Sequence, residues 1–187
     1  MKTVYLLVGR SGSGKSTVAN ILTERYGWKV LQSYTTRPPR FEGETGHTFV
    51  TKEEFDALED KCAYTLFDGN EYCATSKQVD ESDIYIIDPA GVEYFMKEYK
   101  GSKTPVCVII DLPKEEAERR MASREGGSIE EAKRRIENDE VMFKDLKKII
   151  VELDIDTIKF FGDALPAKFI ALGIYKDSKE RERLCEK

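Results

Sequence analysis

Gly9-Arg10-Ser11-Gly12-Ser13-Gly14-Lys15-Ser16 stands between an apolar run, Thr3 to Val8, and a stretch that begins Thr17-Val18-Ala19. It satisfies the pattern G-x-x-x-x-G-K-[ST] in the context that pattern requires, a buried strand before it and a helix after it. A flexible Gly/Ser turn is the plain alternative, and the flanking elements argue against it. The glycines let the backbone curl round phosphate oxygens, so that successive N–H groups and the positive end of the next helix face a polyanion. Lys15 adds a point charge directed at the β- and γ-phosphates, and Ser16 offers an oxygen to Mg²⁺.

Composition limits what can surround that loop. A chain of 187 residues with 40% hydrophobic and 35% charged residues can bury a substantial core in one compact α/β domain. A net charge of −5 argues against a general nucleic-acid binder, so any basic site must be local. No apolar run approaches the roughly 20 residues of a membrane span, and Met1-Lys2 leads straight into the first strand without a signal peptide, so a cytoplasmic protein is expected. Cys62, Cys73, Cys107 and Cys185 show no C-x-x-C pairing and are expected as free thiols.

Thr17 to Gly27 has Val18, Ile21 and Leu22 at helical spacing, and Trp28 to Leu31 predicts a second strand. Gln32 to Gly46 holds two prolines and two glycines, which exclude a regular helix. Arg37 and Arg40 on that stiff segment suit an anionic group, since each offers a planar fork of donors; a solvated basic loop is the alternative. Thr48 to Val50 predicts a short strand, Thr51-Lys52-Glu53-Glu54 a capping box, and Ala63–Phe67 with Glu71–Ala74 a hairpin turning through Asp68-Gly69-Asn70. Ile84 to Asp88 reads as a buried strand ending in an acid, where an aspartate can hold the Mg²⁺ shell or simply form a turn. Val106 to Asp111 is a second run of parallel-strand type. Pro113, Glu115 and Glu116 open a helix through Arg119, Arg120 and Arg124 that Gly126-Gly127 should stop. Ser128-Ile129-Glu130-Glu131 then starts another through Arg134 and Arg135. The last core strand is expected near Thr157 to Phe161, and Ala164 to Lys187 as a helix that becomes polar and frayed.

Taken together these motifs resemble the guanylate kinases among P-loop nucleoside monophosphate kinases, from Met1 to about Phe143. Gly9 to Thr17 is similar to the family's P-loop, which implies ATP contacts from Gly9, Arg10, Ser11, Gly12, Ser13, Gly14, Lys15, Ser16 and Thr17. Ser33-Tyr34-Thr35-Thr36-Arg37-Pro38-Pro39-Arg40 resembles S-x-T-T-R-x-x-R, which implies that Arg37 and Arg40 bind the acceptor phosphate while Ser33 touches the base. Gly43-Glu44, Phe49-Val50 and Glu53-Glu54-Phe55 continue the likeness. Gly69-Asn70-Glu71-Tyr72 with Thr75-Ser76-Lys77 resembles G-N-x-Y-G-T-S-K, which implies acceptor contacts from Tyr72 and Ser76. Asp88 with Gly91 is similar to the end of D-x-D-x-x-G, which implies Ser16 and Asp88 as the Mg²⁺ contacts, the metal held through water. Arg120, Arg124 and Arg135 fall on the family's lid spacing, which implies Arg120 against adenine and Arg124 and Arg135 at the transferring phosphoryl group.

The departures concern the base. The family's guanine-reading glutamate falls at about Ala63, and its phosphate-binding tyrosine near His47, in a loop about two residues shorter. Tyr72 is followed by Cys73-Ala74 rather than one glycine, and Ile86 replaces the first aspartate of D-x-D. Thr65, Asp68 or Glu71 are the nearby side chains able to replace the missing reader.

The resulting expectation is one P-loop kinase domain spanning 1–187. Its parallel core sheet of about five strands comes from 1–32, 81–112 and the last strand, with helices on both faces. A small, mostly antiparallel acceptor-binding insertion occupies 33–80 and a helical lid 113–140, and 141–187 carries the last core strand and the C-terminal helix. The expected activity is ATP-dependent, Mg²⁺-assisted phosphorylation of a nucleoside monophosphate, GMP first, in a monomer or homodimer that binds no nucleic acid polymer and no membrane. Lys15, Arg124 and Arg135 are its expected catalytic residues. A kinase for a different monophosphate or phosphorylated small molecule, and a non-catalytic binding module of the same family, are the alternatives. A GTPase would need N-K-x-D, which the sequence lacks.

Overall fold

The structure is a computed structural model that describes residues 2–123 and 128–185. Its first strand, β1 (Thr3–Val8), is almost wholly buried, and its side chains divide between two cores by alternation along the strand. Gly14 in the left-handed region (φ 94°) starts helix α1 (Lys15–Tyr26), and Gly27, also left-handed, ends it. The chain then runs through β2 (Ser33–Thr35), β3 (His47–Phe49), α2 (Lys52–Asp56), β4 (Lys61–Phe67), β5 (Asn70–Thr75) and α3 (Ser76–Asp80). It continues through β6 (Ile84–Ile86), α4 (Pro89–Glu98), β7 (Thr104–Asp111), α5 (Lys114–Ala122) and α6 (Ile129–Phe143), then α7 (Leu146–Glu152), β8 (Thr157–Phe161) and α8 (Ala167–Cys185).

The main sheet is parallel, with the order β6-β1-β7-β8. On one face Val4, Leu6 and Val8 meet Val92 and Phe95 of α4 and Leu146 and Ile149 of α7. On the other, Tyr5 and Leu7 meet Val18, Ala19 and Leu22 of α1 and Ile170, Ala171 and Ile174 of α8. Burial on both faces accounts for the continuous apolar runs of β1 and β7. The chain thus has the α/β P-loop architecture expected, with one difference. The second strand, expected over Trp28 to Leu31, is reduced to a single parallel bridge between Val30 and Ile84. Lys29 donates its N–H to the Asp83 side chain at 2.9 Å and Leu31 donates to the Ile84 carbonyl at 2.8 Å, and pairing stops there, before the chain enters β2 at Ser33.

Residues 33 to 75 build a second sheet of order β3-β2-β5-β4, antiparallel except for β2 with β3. Asp68 and Gly69, both with positive φ, make the two-residue turn between β4 and β5. The Thr51–Glu54 capping box is present in full, and a second one, Thr75 with Gln78, opens α3. Helices α5 and α6 share a small core of Ala117, Met121, Ala132 and Ile136 with Leu112. Ser128 caps α6 by accepting from Glu131 N–H at 3.1 Å. Arg124 and Gly126-Gly127, read above as a phosphoryl contact and a helix stop, lie outside the described residues. Helix α8 continues to Cys185 instead of fraying, because Ile170, Ile174 and Ser178 are buried and Arg181 ties Asp177 (2.6 Å) to Asp156 (2.7 Å).

Candidate active site

The P-loop leaves the C-terminal end of β1, and its first glycine is fixed by close approach. A Cβ on Gly9 would lie 2.6 Å from the Ile110 carbonyl oxygen and 2.7 Å from Ser13 Oγ, so no side chain fits there. Ser13 N–H donates to the Arg10 carbonyl at 3.1 Å and closes the turn. The Ser13 hydroxyl is buried with no hydrogen-bond partner among the described residues. Lys15 folds back over the loop, donating to the carbonyls of Gly9 (2.5 Å) and Arg10 (3.0 Å). Ser16 and Thr17 are exposed on the first turn of α1, where the helix dipole favours anions.

Gly9, Ser11 and Lys15 form one end of a cavity of about 230 Å³. Ser33, Tyr72 and Asp88, from three separate segments, share it with Arg135 of α6. The other walls are mostly apolar, including Tyr85, Ile87, Met142 and Phe143. Arg135 reaches Ser11 Oγ through Nη2 at 3.4 Å. Arg120 does not line this cavity and donates to Glu116 at 2.7 Å and to the Gly162 carbonyl at 2.9 Å.

On the acceptor side, Arg37 donates to both Glu44 oxygens, at 2.8 and 3.2 Å, and lies over the Phe49 ring. Arg40 N–H donates to the same carboxylate at 2.6 Å. These contacts hold the Glu44 carboxyl down to about 2, the Arg37 pair being the largest cause, and Glu44 in turn raises Arg37. Ser33 Oγ lies 2.9 Å from His47 Nδ1, and the imidazole meets Tyr72 edge-on at 5.5 Å. Burial, then the charge of Arg37, lowers the His47 pKa below its ordinary value. Ser76 is placed apart from this cavity, its hydroxyl donating to Asp60 at 3.0 Å.

Among the residues near the expected base reader, Ala63 is buried in the core, Glu71 pairs with Lys52 at 2.6 Å, and Asp68 faces Arg134 at 3.3 Å. Thr65 lines the cavity. So does Asp88, which also caps α4 by accepting from Gly91 N–H at 2.8 Å, and burial pushes its carboxyl above the ordinary range. Ser16 borders a different groove, with Arg40, Glu44 and His47. Ser16 and Asp88 are therefore not brought into one cavity, and among the described residues no cluster of three or more His, Cys, Asp or Glu side chains could hold a metal. The Ser16 hydroxyl alone still suits Mg²⁺, which takes hard oxygens and keeps most of its shell as water and substrate phosphate.

Sequence reasoning gave no role to Glu44, Tyr85 or Asp139, of which the last two line the cavity. Asp139 stands four residues from Arg135 on the same face of α6, so helical spacing offered a signal for it, whereas Glu44 lies in a non-helical segment where spacing offers none.

No family model matches the chain. A curated guanylate kinase of Fusobacterium nucleatum subsp. nucleatum is 36% identical over 83 residues. That match spans 42% of this chain and 45% of the relative, so less than half of the relative is covered. The crystal structure of guanylate kinase from Anaplasma phagocytophilum superposes with a TM-score of 0.61 at 23% identity, over 97% of this chain and 87% of that one, a likeness of fold. The match in sequence is thus to part of a guanylate kinase, and the likeness over nearly the whole chain is one of fold.

Proposed function

We propose that this chain transfers the terminal phosphoryl group of ATP to a nucleoside monophosphate, with GMP as the first choice. The observation that carries this reading is the single cavity in which P-loop residues Gly9, Ser11 and Lys15 face Ser33 and Tyr72 of the insertion and Arg135 of α6. An acceptor phosphate is an anionic nucleophile at neutral pH, so the reaction demands no general base. Its oxygen forms a bond to the γ-phosphorus as the β–γ bridging P–O bond breaks, and ADP leaves with that electron pair. Lys15 and Arg135 stabilise the charge on the phosphoryl oxygens, and Arg124 is assigned the same role from its spacing. Arg37, Arg40 and Tyr72 orient the acceptor. When bound, Mg²⁺ neutralises charge on the donor phosphates, and Ser16 is the side chain that would hold it.

A second reading, a kinase for a different monophosphate, is favoured by the burial of Ala63 where the family carries its carboxylate and by the mostly apolar walls beside Thr65 and Asp88. The test is coupled ADP release across GMP, dGMP, IMP, AMP, CMP, UMP and dTMP, repeated with Lys15→Met at matched folded fraction. Turnover with the best acceptor should fall on the order of 10²–10³, as loss of a charge contact to the transition state does. Unchanged turnover removes the kinase reading. A GMP preference above about 10⁴ over both AMP and IMP would show a strong guanine reader and overturn the second reading.

A further inference from the structure

A P-loop N–H is there to receive an anionic oxygen, and one of them already holds one. Ser11 N–H donates to Oδ2 of Asp139 at 2.6 Å, across 128 residues of sequence. Asp139 is only 8% exposed and sits one turn beyond Arg135 on α6, whose guanidinium reaches the hydroxyl of the same serine. The next residue, Glu140, pairs with Arg10 at 3.1 Å. Two successive acids of this helix thus hold two successive residues of the loop, and Asp139 borders the cavity together with Ser11 and Lys15. A buried carboxylate in a helix interior is unfavourable on propensity and on desolvation unless something specific engages it. Here the engaging group is a donor that the loop sequence assigns to phosphate.

We propose that Asp139 is an internal competitor of the donor nucleotide: its carboxylate occupies the Ser11 N–H when the loop is empty, and the donor phosphates must displace it. This rests on the ATP assignment above. One backbone N–H has one hydrogen to give, so a phosphate oxygen and the Asp139 carboxylate cannot both take it, and two anions at that point repel. Since Asp139 and Arg135 share a helix, occupancy of the loop is coupled to where α6 sits.

The test is direct titration of the intact chain with ATP, with and without Mg²⁺, for the unmodified protein, Asp139→Asn and Asp139→Ala, with adenosine as a ligand lacking phosphate. Both variants should bind ATP about tenfold more tightly and adenosine unchanged, as removal of one close like charge predicts. Their nucleotide-free melting temperatures should fall, because the charge-assisted bond to Ser11 is gone. Affinity for ATP that is unchanged or weaker in both variants overturns the proposal, as does a loss confined to Mg²⁺, which would make Asp139 a metal contact. Two substitutions, one nearly isosteric and one favourable to helix, keep the test open if either variant folds poorly. Binding is read without turnover, so a chain that phosphorylates no monophosphate removes the proposed reaction and leaves this result standing. ATP bound by none of the three proteins removes the donor assignment and this inference together.

Discussion

Replacing Glu44 with Gln should damage acceptor binding while leaving the donor untouched. Glu44 accepts two bonds from the Arg37 guanidinium and one from Arg40 N–H, so a single carboxylate braces both arginines assigned to the acceptor phosphate. Gln keeps the size but loses the charge and turns an NH₂ towards groups that are all donors. A hydrogen bond to a charged group contributes about 1.5–3 kcal/mol, and an amide oxygen can retain part of it. A net loss of about 1.4–2.8 kcal/mol in the presentation of Arg37 corresponds to a rise in acceptor KM of about 10- to 100-fold. The KM for ATP should stay within a factor of about two, because among the described residues the hydrogen bonds and ion pairs of the Glu44 carboxylate run to Arg37 and Arg40. The pH dependence has a definite sign. With its carboxyl held at about 2 in the folded chain against an ordinary value of 4.5, the unfolded chain binds the extra proton first as pH falls. Glu44 therefore contributes its full stability above about 4.5 and loses it towards 2. Steady-state kinetics and urea unfolding at pH 7 and pH 3 measure both effects, with the stability gap between the two proteins narrowing at pH 3. An acceptor KM that is unchanged or lower in Glu44→Gln would refute the bracing role, the second outcome meaning that Glu44 holds Arg37 away from the ligand.

Arg135→Ala should lower kcat far more than it raises either KM, since the contact is assigned to the transferring group; steady-state kinetics giving wild-type kcat would remove Arg135 from the catalytic residues. His47 is the only histidine, so NMR follows one imidazole, and its pKa should lie below 6.5 because burial and Arg37 disfavour the cation. Because the unfolded chain then binds the proton more readily, stability should fall as pH drops through 6.5 and level off below the folded pKa, and His47→Gln should remove that component; a folded pKa above 6.5 contradicts this. Gly9→Ala drives a Cβ to 2.6 Å from a backbone carbonyl that cannot turn away, so melting temperature and ATP affinity should both drop, by about 1–3 kcal/mol in stability; a variant that melts and binds normally would show that the loop relaxes freely.

The elements legible in the sequence were those whose signals are local. Gly14 and Gly27 bracket α1, Asp68-Gly69 sets the hairpin, and Thr51 with Glu54 caps α2, each through chemistry within four residues. What stayed hidden depends on distant partners. Trp28 to Leu31 carries strand composition, yet its pairing ends after one bridge, before the chain enters β2 of the other sheet at Ser33. Helix α7 has no side-chain cap at Asp145 to announce it and forms where Leu146 and Ile149 are drawn into the core beneath β1. The candidate site divides the same way. Its phosphate loop was plain, and its base end was not, since Thr65, Tyr85 and Asp88 meet only when β4, β6 and the start of α4 pack together.

The carboxylates of Glu44 and Asp139 differ in what they leave available, and that difference assigns them opposite roles. Glu44 contacts guanidinium and backbone of a segment in which the Arg40 side chain remains 65% exposed, with its own nitrogen no nearer than 3.8 Å to the acid. A guanidinium carries five N–H donors, so an arginine can be braced by an acid and still grip a phosphate. Asp139 instead takes a backbone N–H, which has nothing left to give. Bracing survives ligand binding and substitution does not. The acceptor side is therefore preorganised with its acid in place, whereas the donor side must expel one. The cost of doing so falls on ligands that bring too little charge to replace it. A polyphosphate that engages Lys15, the helix dipole and several loop N–H groups at once can displace a single carboxylate, and a lone phosphate cannot do so as readily. Selection between the donor site and the acceptor arginines then follows from which acid must move.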